Sequence, residues 1–231
     1  MDRVSKSSLN TFLQCQRKFY YSLLGTEMEK ETPEMAYGTE FHKLLEDYNK
    51  KRIKGLTQTE NKVDKKFAPT FQKYIEAVNK LESEGFKITA AEYPVGLDGL
   101  FGYIDALFYN EKEKKYLIID FKTIVSSSYN KIDVEKYRLE INIYTYILMR
   151  MKGVNYRDIL GAIFFFEQNG ERADLKYINN DGEKFESAIE KANKMLEKLI
   201  NSSGLPSEFP KVSENKTDSS CTFCPYFDIC K

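Results

Sequence analysis

The sequence predicts an α/β fold in which a mixed central sheet is flanked by helices. Three observations predict it. Helix-period apolar stripes fill the first third, three consecutive strand-like runs fill the middle, and a long helical stripe is followed by a further apolar strand. The order strand–strand–strand–helix–strand suggests a mixed sheet with helices on both faces.

The elements follow in order. SSLNTFLQCQRKFYYSLL reads as one helix, with Ser7 or Ser8 as cap and Leu9, Phe12, Leu13, Phe19 and Leu23 at helical spacing. A second helix is expected over Pro33–Ile53, with Met35, Leu44, Leu45 and Tyr48 as its apolar members, and a third over about 60–83, ended by Gly85. The period then shortens. KITAAEYPV, LFGYIDALFYN and KYLIIDFKT read as strands, separated by LDG and by the charged turn EKEKK. A helix over about 132–152 comes next, then the strand GAIFFFE, a shorter strand around DLKYIN, and a last helix over about 182–200. No repeat and no low-complexity linker interrupts the series, so one domain spanning 1–231 is the economical reading.

The bulk properties bound the possibilities. Thirty-five basic and thirty-five acidic residues cancel, and the isoelectric point is near 6.7. Binding to a polyanion through bulk charge is therefore excluded, and any nucleic-acid contact needs a local groove of Lys and Arg. No apolar run approaches the length of a membrane span, and MDRVSKSSLNTF has no secretory pattern, so a cytoplasmic protein without membrane attachment is expected. In a reducing compartment the four cysteines fit a thiolate metal or cluster site better than disulfides.

The run YLIIDFK carries the clearest chemistry. Strand side chains alternate, so Asp120 and Lys122 project from one face, roughly 6.6 Å apart along the strand. Leu117, Ile118 and Ile119 mark that strand as buried. Charges there are costly unless paired, hydrated or metal-bound. Asp105 sits in the neighbouring apolar run FGYIDALF, beside Gly102. Two carboxylates can hold Mg²⁺ or Mn²⁺ through hard oxygen donors, and a lysine can orient a water or stabilise developing negative charge. The plainer reading is a salt bridge on a half-exposed strand. His42, the sole histidine, lies one helical turn from both Gly38 and Glu46; it is either a metal ligand or a core-edge residue. In VEKYRLEINIYTYILMRM the apolar stripe is Tyr137, Ile141, Tyr144, Leu148 and Met151. Glu140 lies at its edge, either as a boundary residue or facing the same site with Tyr144.

In this order, Gly38-Thr-Glu-Phe-His42, Gly102-Tyr-Ile-Asp105, Asp120-Phe-Lys122 and Glu140-Ile-Asn-Ile-Tyr144 resemble the motifs of the RecB-like branch of the PD-(D/E)XK nuclease superfamily. That branch includes the CRISPR-associated RecB-like exonucleases and the AddB nuclease domain. The resemblance spans almost the whole chain and implies a restriction-endonuclease-like fold. It also implies metal-dependent hydrolysis of DNA, with exonuclease action on single-stranded ends the expected mode. By position, it implies His42, Asp105, Asp120 and the Phe121 carbonyl as metal ligands and Lys122 as the group that positions the attacking water. Glu140 and Tyr144 would complete the catalytic set, with Glu92 in support. Glu140 departs from the glutamine usual in the family, which bears on metal number and phosphate contact. Repair, recombination and CRISPR adaptation proteins are the implied partners.

Cys221, Cys224 and Cys230 form C-x₂-C-x₅-C, and Cys15 supplies a fourth thiolate from the other end of the chain. Joining the ends costs roughly 5 kcal/mol of chain entropy. Structural zinc binding, at about 10–16 kcal/mol in small peptides, shows that a four-thiolate site can exceed that. The spacing alone allows Zn²⁺ or an iron–sulfur cluster. The family resemblance implies a [4Fe-4S] cluster, stapling residues 5–25 to 218–231. Arg17, Lys18, Tyr20 and Tyr21 beside it are either strand-binding residues, through charge and stacking, or the solvated face of an amphipathic helix. The alternative to an enzyme is a non-catalytic, cluster-bearing DNA-binding subunit.

Overall fold

A computed structural model describes residues 4–25, 32–56, 63–97, 99–179, 186, 187, 189, 190, 194, 209, 211, 221 and 224–230. In chain order the elements are β1 (Val4–Ser5), α1 (Lys6–Gln14), α2 (Gln16–Leu23), α3 (Pro33–Ile53) and α4 (Ala68–Ser83). Next come β2 (Phe86–Leu97), β3 (Leu100–Asn110), β4 (Lys115–Ile124), α5 (Arg138–Lys152), β5 (Ile159–Glu167) and β6 (Ala173–Ile178). The last helix expected, over 182–200, lies largely outside the described residues. No helix among the described residues is long and apolar enough to cross a membrane.

The sheet is mixed. Antiparallel pairs join β2 to β3, β3 to β4 and β5 to β6, whereas β4 and β5 run parallel through the α5 crossover. The two-residue β1, which the sequence pattern does not mark, pairs in parallel with Leu100 and Phe101 at the start of β3. Each face of the sheet is covered. Leu9, Phe12 and Phe19 from α1 and α2, with Ile143 and Ile147 from α5, pack on Ile104, Leu107, Ile118, Ile163 and Phe165. On the other side Phe41 and Leu45 of α3 and Phe71, Tyr74 and Val78 of α4 pack on Ala106, Phe108, Ile119, Phe121 and Phe164. At Gly161 an added Cβ would lie 2.2 Å from Ile141 Cγ2, so the absent side chain is what seats α5 on β5.

Several boundaries differ from expectation, each for a local reason. The opening helix is two helices. Cys15 is extended (φ −157°, ψ 108°), its N–H closes α1 on Thr11 O, and its sulfur accepts from Lys18 N–H to open α2. Apolar spacing continues through this break and so conceals it. The α1 cap is Ser5, whose Oγ accepts from Ser8 N–H at 3.0 Å, and neither Ser7 nor Ser8 takes that role. Leu23 and Met35, expected on apolar faces, are exposed. α4 starts at Ala68 because Pro69 is tolerated only in a first turn. α5 starts at Arg138, since Ser126–Lys131 and Val134–Tyr137 form 3₁₀ turns, the second capped by the Asp133 side chain.

Candidate active site

The site lies where β3 and β4 part. Their ladder runs from Asn110–Lys115 to Ala106–Ile119 and ends there. At the next step Asp105 Oδ2 accepts from the Phe121 backbone N–H at 2.6 Å, so a carboxylate replaces a ladder carbonyl. Face alternation along β3 slips at this residue. Ile104 and Leu107 join one core layer, Ala106 and Phe108 the other, and Asp105 turns toward β4 between them. Asp120 and Lys122 share the face of Ile118, which is the α5 side. β1 pairs with β3 just beyond the split, and so delivers the first residue of α1, Lys6, to the same place.

Four charges meet there. Lys122 Nζ is 2.7 Å from Asp120 Oδ2 and 3.0 Å from Glu140 Oε2. Lys6 Nζ is 2.7 Å from Glu140 Oε2 and 3.7 Å from Asp120 Oδ1. Burial by itself would raise the Asp120 carboxyl, but Lys122 and Lys6 outweigh it and hold it below the usual carboxylate range. Burial would likewise lower both lysines, and the facing carboxylates, Asp120 first, raise them instead. Asp105 goes the other way. Burial, reinforced by the Asp120 charge, pushes it well above the carboxylate range. Asp120 Oδ2 is buried without an aligned hydrogen-bond donor, despite its short approach to Lys122.

His42, on α3, closes the site from the other layer. Its Nδ1 is 3.9 Å from Asp105 Oδ2, and its ring stands edge-on to Phe121 at 5.5 Å between centroids. Burial lowers its basicity, which keeps the imidazole neutral and fit to donate a lone pair. Glu92 falls at the level of Asp105, between the pairs Ala91–Ala106 and Tyr93–Ile104, and has a left-handed φ of 48°. Burial, followed by the charge of Glu46, raises its carboxyl. Gly38, His42, Glu46, Glu92, Lys122 and Thr123 line one cleft of about 690 Å³. The space beside Gly38 is taken by the chain itself, since an added Cβ would meet Thr123 Oγ1 at 2.9 Å.

The structure thus brings His42, Asp105, Asp120, Lys122 and Glu140 together. Tyr144 lies alongside with a different task. Its hydroxyl donates to Tyr103 O, and its ring lies over Gly102 and under the Lys6 ammonium, 5.0 Å from the centroid. Arg17 and Tyr21, expected either at a strand or on a solvated face, are buried against the tail. Arg17 Nε donates to Phe209 O at 2.7 Å and Tyr21 hydroxyl to Ile229 O at 2.9 Å. Tyr20 packs against Phe209 with the rings tilted by 38° and their centroids 4.8 Å apart, and Lys18 is half-buried. Lys6 is the site residue that sequence reasoning missed. One signal could have found it: a lysine in the first turn of a capped helix opposes the macrodipole, and so asks for a carboxylate elsewhere.

The donor chemistry fits a divalent cation: two adjacent buried carboxylates, one with an oxygen lacking an aligned donor, beside a neutral imidazole. As the side chains stand, no three His, Cys, Asp or Glu groups among the described residues are drawn close enough to hold a metal ion. Lysine ammoniums engage the acids instead. None of the four cysteines is in a disulfide. Burial pushes the Cys230 thiol up, with Cys15 and Cys224 adding to the rise and Arg17 and Lys211 opposing it, so Cys15 and Cys224 each lie within electrostatic reach of Cys230. Four cysteines outside any disulfide supply the residue type that a thiolate-held group needs, but among the described residues no three of them are drawn close enough together to hold a metal ion.

A family model, that of the PD-(D/E)XK nuclease superfamily, matches residues 3–231. Solved structures similar to the chain include a protein designated an exonuclease from Eubacterium rectale, at 13% identity over 87% of this chain and 80% of that one, with a TM-score of 0.49. An alkaline exonuclease from Laribacter hongkongensis gives 9%, 86%, 88% and 0.43 for the same quantities. A phage-related exonuclease from Haemophilus somnus gives 16%, 86%, 95% and 0.38. Among curated proteins none matches.

Proposed function

The chain belongs to the PD-(D/E)XK nuclease superfamily, and from that premise we propose that it is a Mg²⁺- or Mn²⁺-dependent deoxyribonuclease of the RecB-like branch, acting as an exonuclease on single-stranded ends. The observation that carries the reading is the meeting of Asp105, Asp120, Lys122 and His42 at the β3–β4 split. His42, Asp105, Asp120 and the Phe121 carbonyl would hold the cation. When bound, it supplies Lewis-acid polarisation of a phosphoryl oxygen and acidifies a water.

The remaining work falls to the chain. The Lys122 ammonium, kept charged by Asp120 and Glu140, aims its protons at the attacking water and at the negative charge that develops on the phosphoryl group. The Asp105–Phe121 hydrogen bond links the two strands just past the end of their ladder and fixes the Asp105 carboxylate there. Tyr144, tied to Tyr103 O, props the floor under Gly102. The cleft beside His42 receives the strand, and Glu92 and Glu46 at its rim set the local charge.

The same reading takes the chain as a single domain over 1–231, with Cys15, Cys221, Cys224 and Cys230 holding a [4Fe-4S] cluster. In support, α2 is clasped to the tail by Arg17–Phe209, Tyr21–Ile229 and the Tyr21–Tyr226 rings at 5.7 Å. Repair, recombination or CRISPR adaptation is the context in which such an exonuclease works. Degradation of single- and double-stranded DNA labelled at either end, with Mn²⁺, tests the activity, its strand preference and its polarity. Wild-type protein should cleave, and Asp120→Ala and Lys122→Ala should not. Undiminished cleavage by both variants removes the site assignment. No cleavage by wild type favours a non-catalytic cluster-bearing DNA-binding subunit. Absorbance near 400 nm in anaerobically purified protein, lost in Cys224→Ala, tests the cluster; a colourless protein excludes it.

A further inference from the structure

Lys6, Asp120, Lys122 and Glu140 form a closed ring of alternating charge. Each carboxylate touches both ammoniums, and each ammonium touches both carboxylates. The two halves of the ring are unequal. Lys6 sits 2.7 Å from Glu140 Oε2 but 3.7 Å from Asp120 Oδ1, whereas Lys122 sits 2.7 Å from Asp120 and 3.0 Å from Glu140. Lys6 is therefore hydrogen-bonded to Glu140, while Asp120, a further ångström away, attracts it through charge. Its placement is built in rather than incidental. β1 pairing and the Ser5 cap fix its backbone, its ammonium lies over the Tyr144 ring, and Gly102 leaves the space its stem crosses. Its side chain is only 13% exposed, so it cannot swing into water without disturbing that packing.

Were Glu140 neutral, two ammoniums would face Asp120 alone, and Lys6 would be drawn onto it as a tethered cation. At these separations the competition matters, because desolvated charges feel one another strongly. We propose that Lys6 is a positioning residue of the site and that Glu140 is its counter-charge, the pair neutralising itself so that Asp120 stays available to a divalent cation. This rests on the metal-dependent reading above. It also assigns Glu140 a task that needs no contact with substrate: it keeps a built-in lysine away from a metal-binding carboxylate.

The test is Mn²⁺ binding by the full chain without DNA, read as loss of the free-ion signal in electron paramagnetic resonance. Glu140→Gln should weaken binding about tenfold, the scale of coupling between touching charges. Lys6→Met, which keeps the stem over Gly102, should bind at least as tightly as wild type. The double variant should return to within about threefold of wild type, since each change cancels the other's effect. Thermal unfolding checks that each variant is folded. If Glu140→Gln does not fold, the double variant still decides, because a tenfold or greater weakening there overturns the proposal. Equal weakening in the single and double variants overturns it too, since Glu140 would then act on the metal directly. So does an unaffected Glu140→Gln. Wild-type protein that takes up no Mn²⁺ sinks the metal-dependent reading and this inference together. The predicted coupling in a protein that cleaves no DNA sinks the nuclease reading alone.

Discussion

Two buried carboxylates on adjacent strands, Asp120 on β4 and Glu167 at the end of β5, live in opposite circumstances. Glu167 is fully satisfied. Arg172 gives it three donors, from Nε at 2.9 Å, Nη2 at 2.5 Å and the backbone N–H at 3.3 Å. The rest of that guanidinium holds Asn130 and the Ser126 carbonyl and stacks on Tyr129, so the pair pins the 126–131 turn to the sheet. Asp120 is as deeply buried but has an oxygen without an aligned donor, a repelling neighbour in Asp105, and two lysines that also serve Glu140. One cluster is settled by its own partners and serves the fold. The other sets two lysines among three acids and leaves one carboxylate oxygen without an aligned donor, which is the mark of a site rather than a brace.

This contrast breaks or sharpens under substitution. The largest effect falls on Asp120→Asn: cleavage rate should drop by about 10²–10³-fold, and the melting temperature should fall too, because Lys122 and Lys6 lose the carboxylate that they hold below its usual range. A rate within error of wild type would erase the contrast. Glu167→Gln should lower the melting temperature by several degrees yet leave the cleavage rate of the folded protein unchanged, by calorimetry and the same assay.

The two clusters should also differ in the sign of their pH dependence. Hydrogen bonds from Arg172 hold Glu167 down to about 2, from an ordinary 4.5. Its stabilisation is therefore complete above pH 4.5 and fades as pH falls from there toward 2. Asp105 is raised from 3.8, so its ionisation costs stability, and that loss grows as pH climbs from 3.8 through its elevated range. Melting temperatures in EDTA should show both limbs in wild type. Asp105→Asn should lack the second, and an identical profile would refute the assignment. The smallest effect belongs to Gly102→Ala, whose Cβ would lie 3.1 Å from both Lys6 Cβ and Tyr144 Cε1. A cost of about 1 kcal/mol in stability, with a modest loss of rate, is expected from urea unfolding and the cleavage assay.

Much of this was legible along the chain. Pro33 at a helix start, with Thr32 before it, delimits α3 correctly, because capping chemistry is local. Period-two alternation puts Asp120 and Lys122 on one face without reference to any other strand. Less was legible where neighbours decide. The helical stripe runs through Cys15 unbroken, yet the chain turns there. Arg17 looks like a basic groove residue and is instead a clasp on Phe209.

Local chemistry thus carried the α/β order, the strand that bears Asp120 and Lys122, and the acids' shared suitability for a cation. Periodicity and residue type are short-range properties, and they survive reading in one dimension. Tertiary structure alone decided that β3 and β4 part at Asp105, that Lys6 enters from the far end of the chain, and that Glu140 answers it. Those outcomes depend on charges many residues apart meeting where water is scarce. Their energies arise only once packing has set the distances.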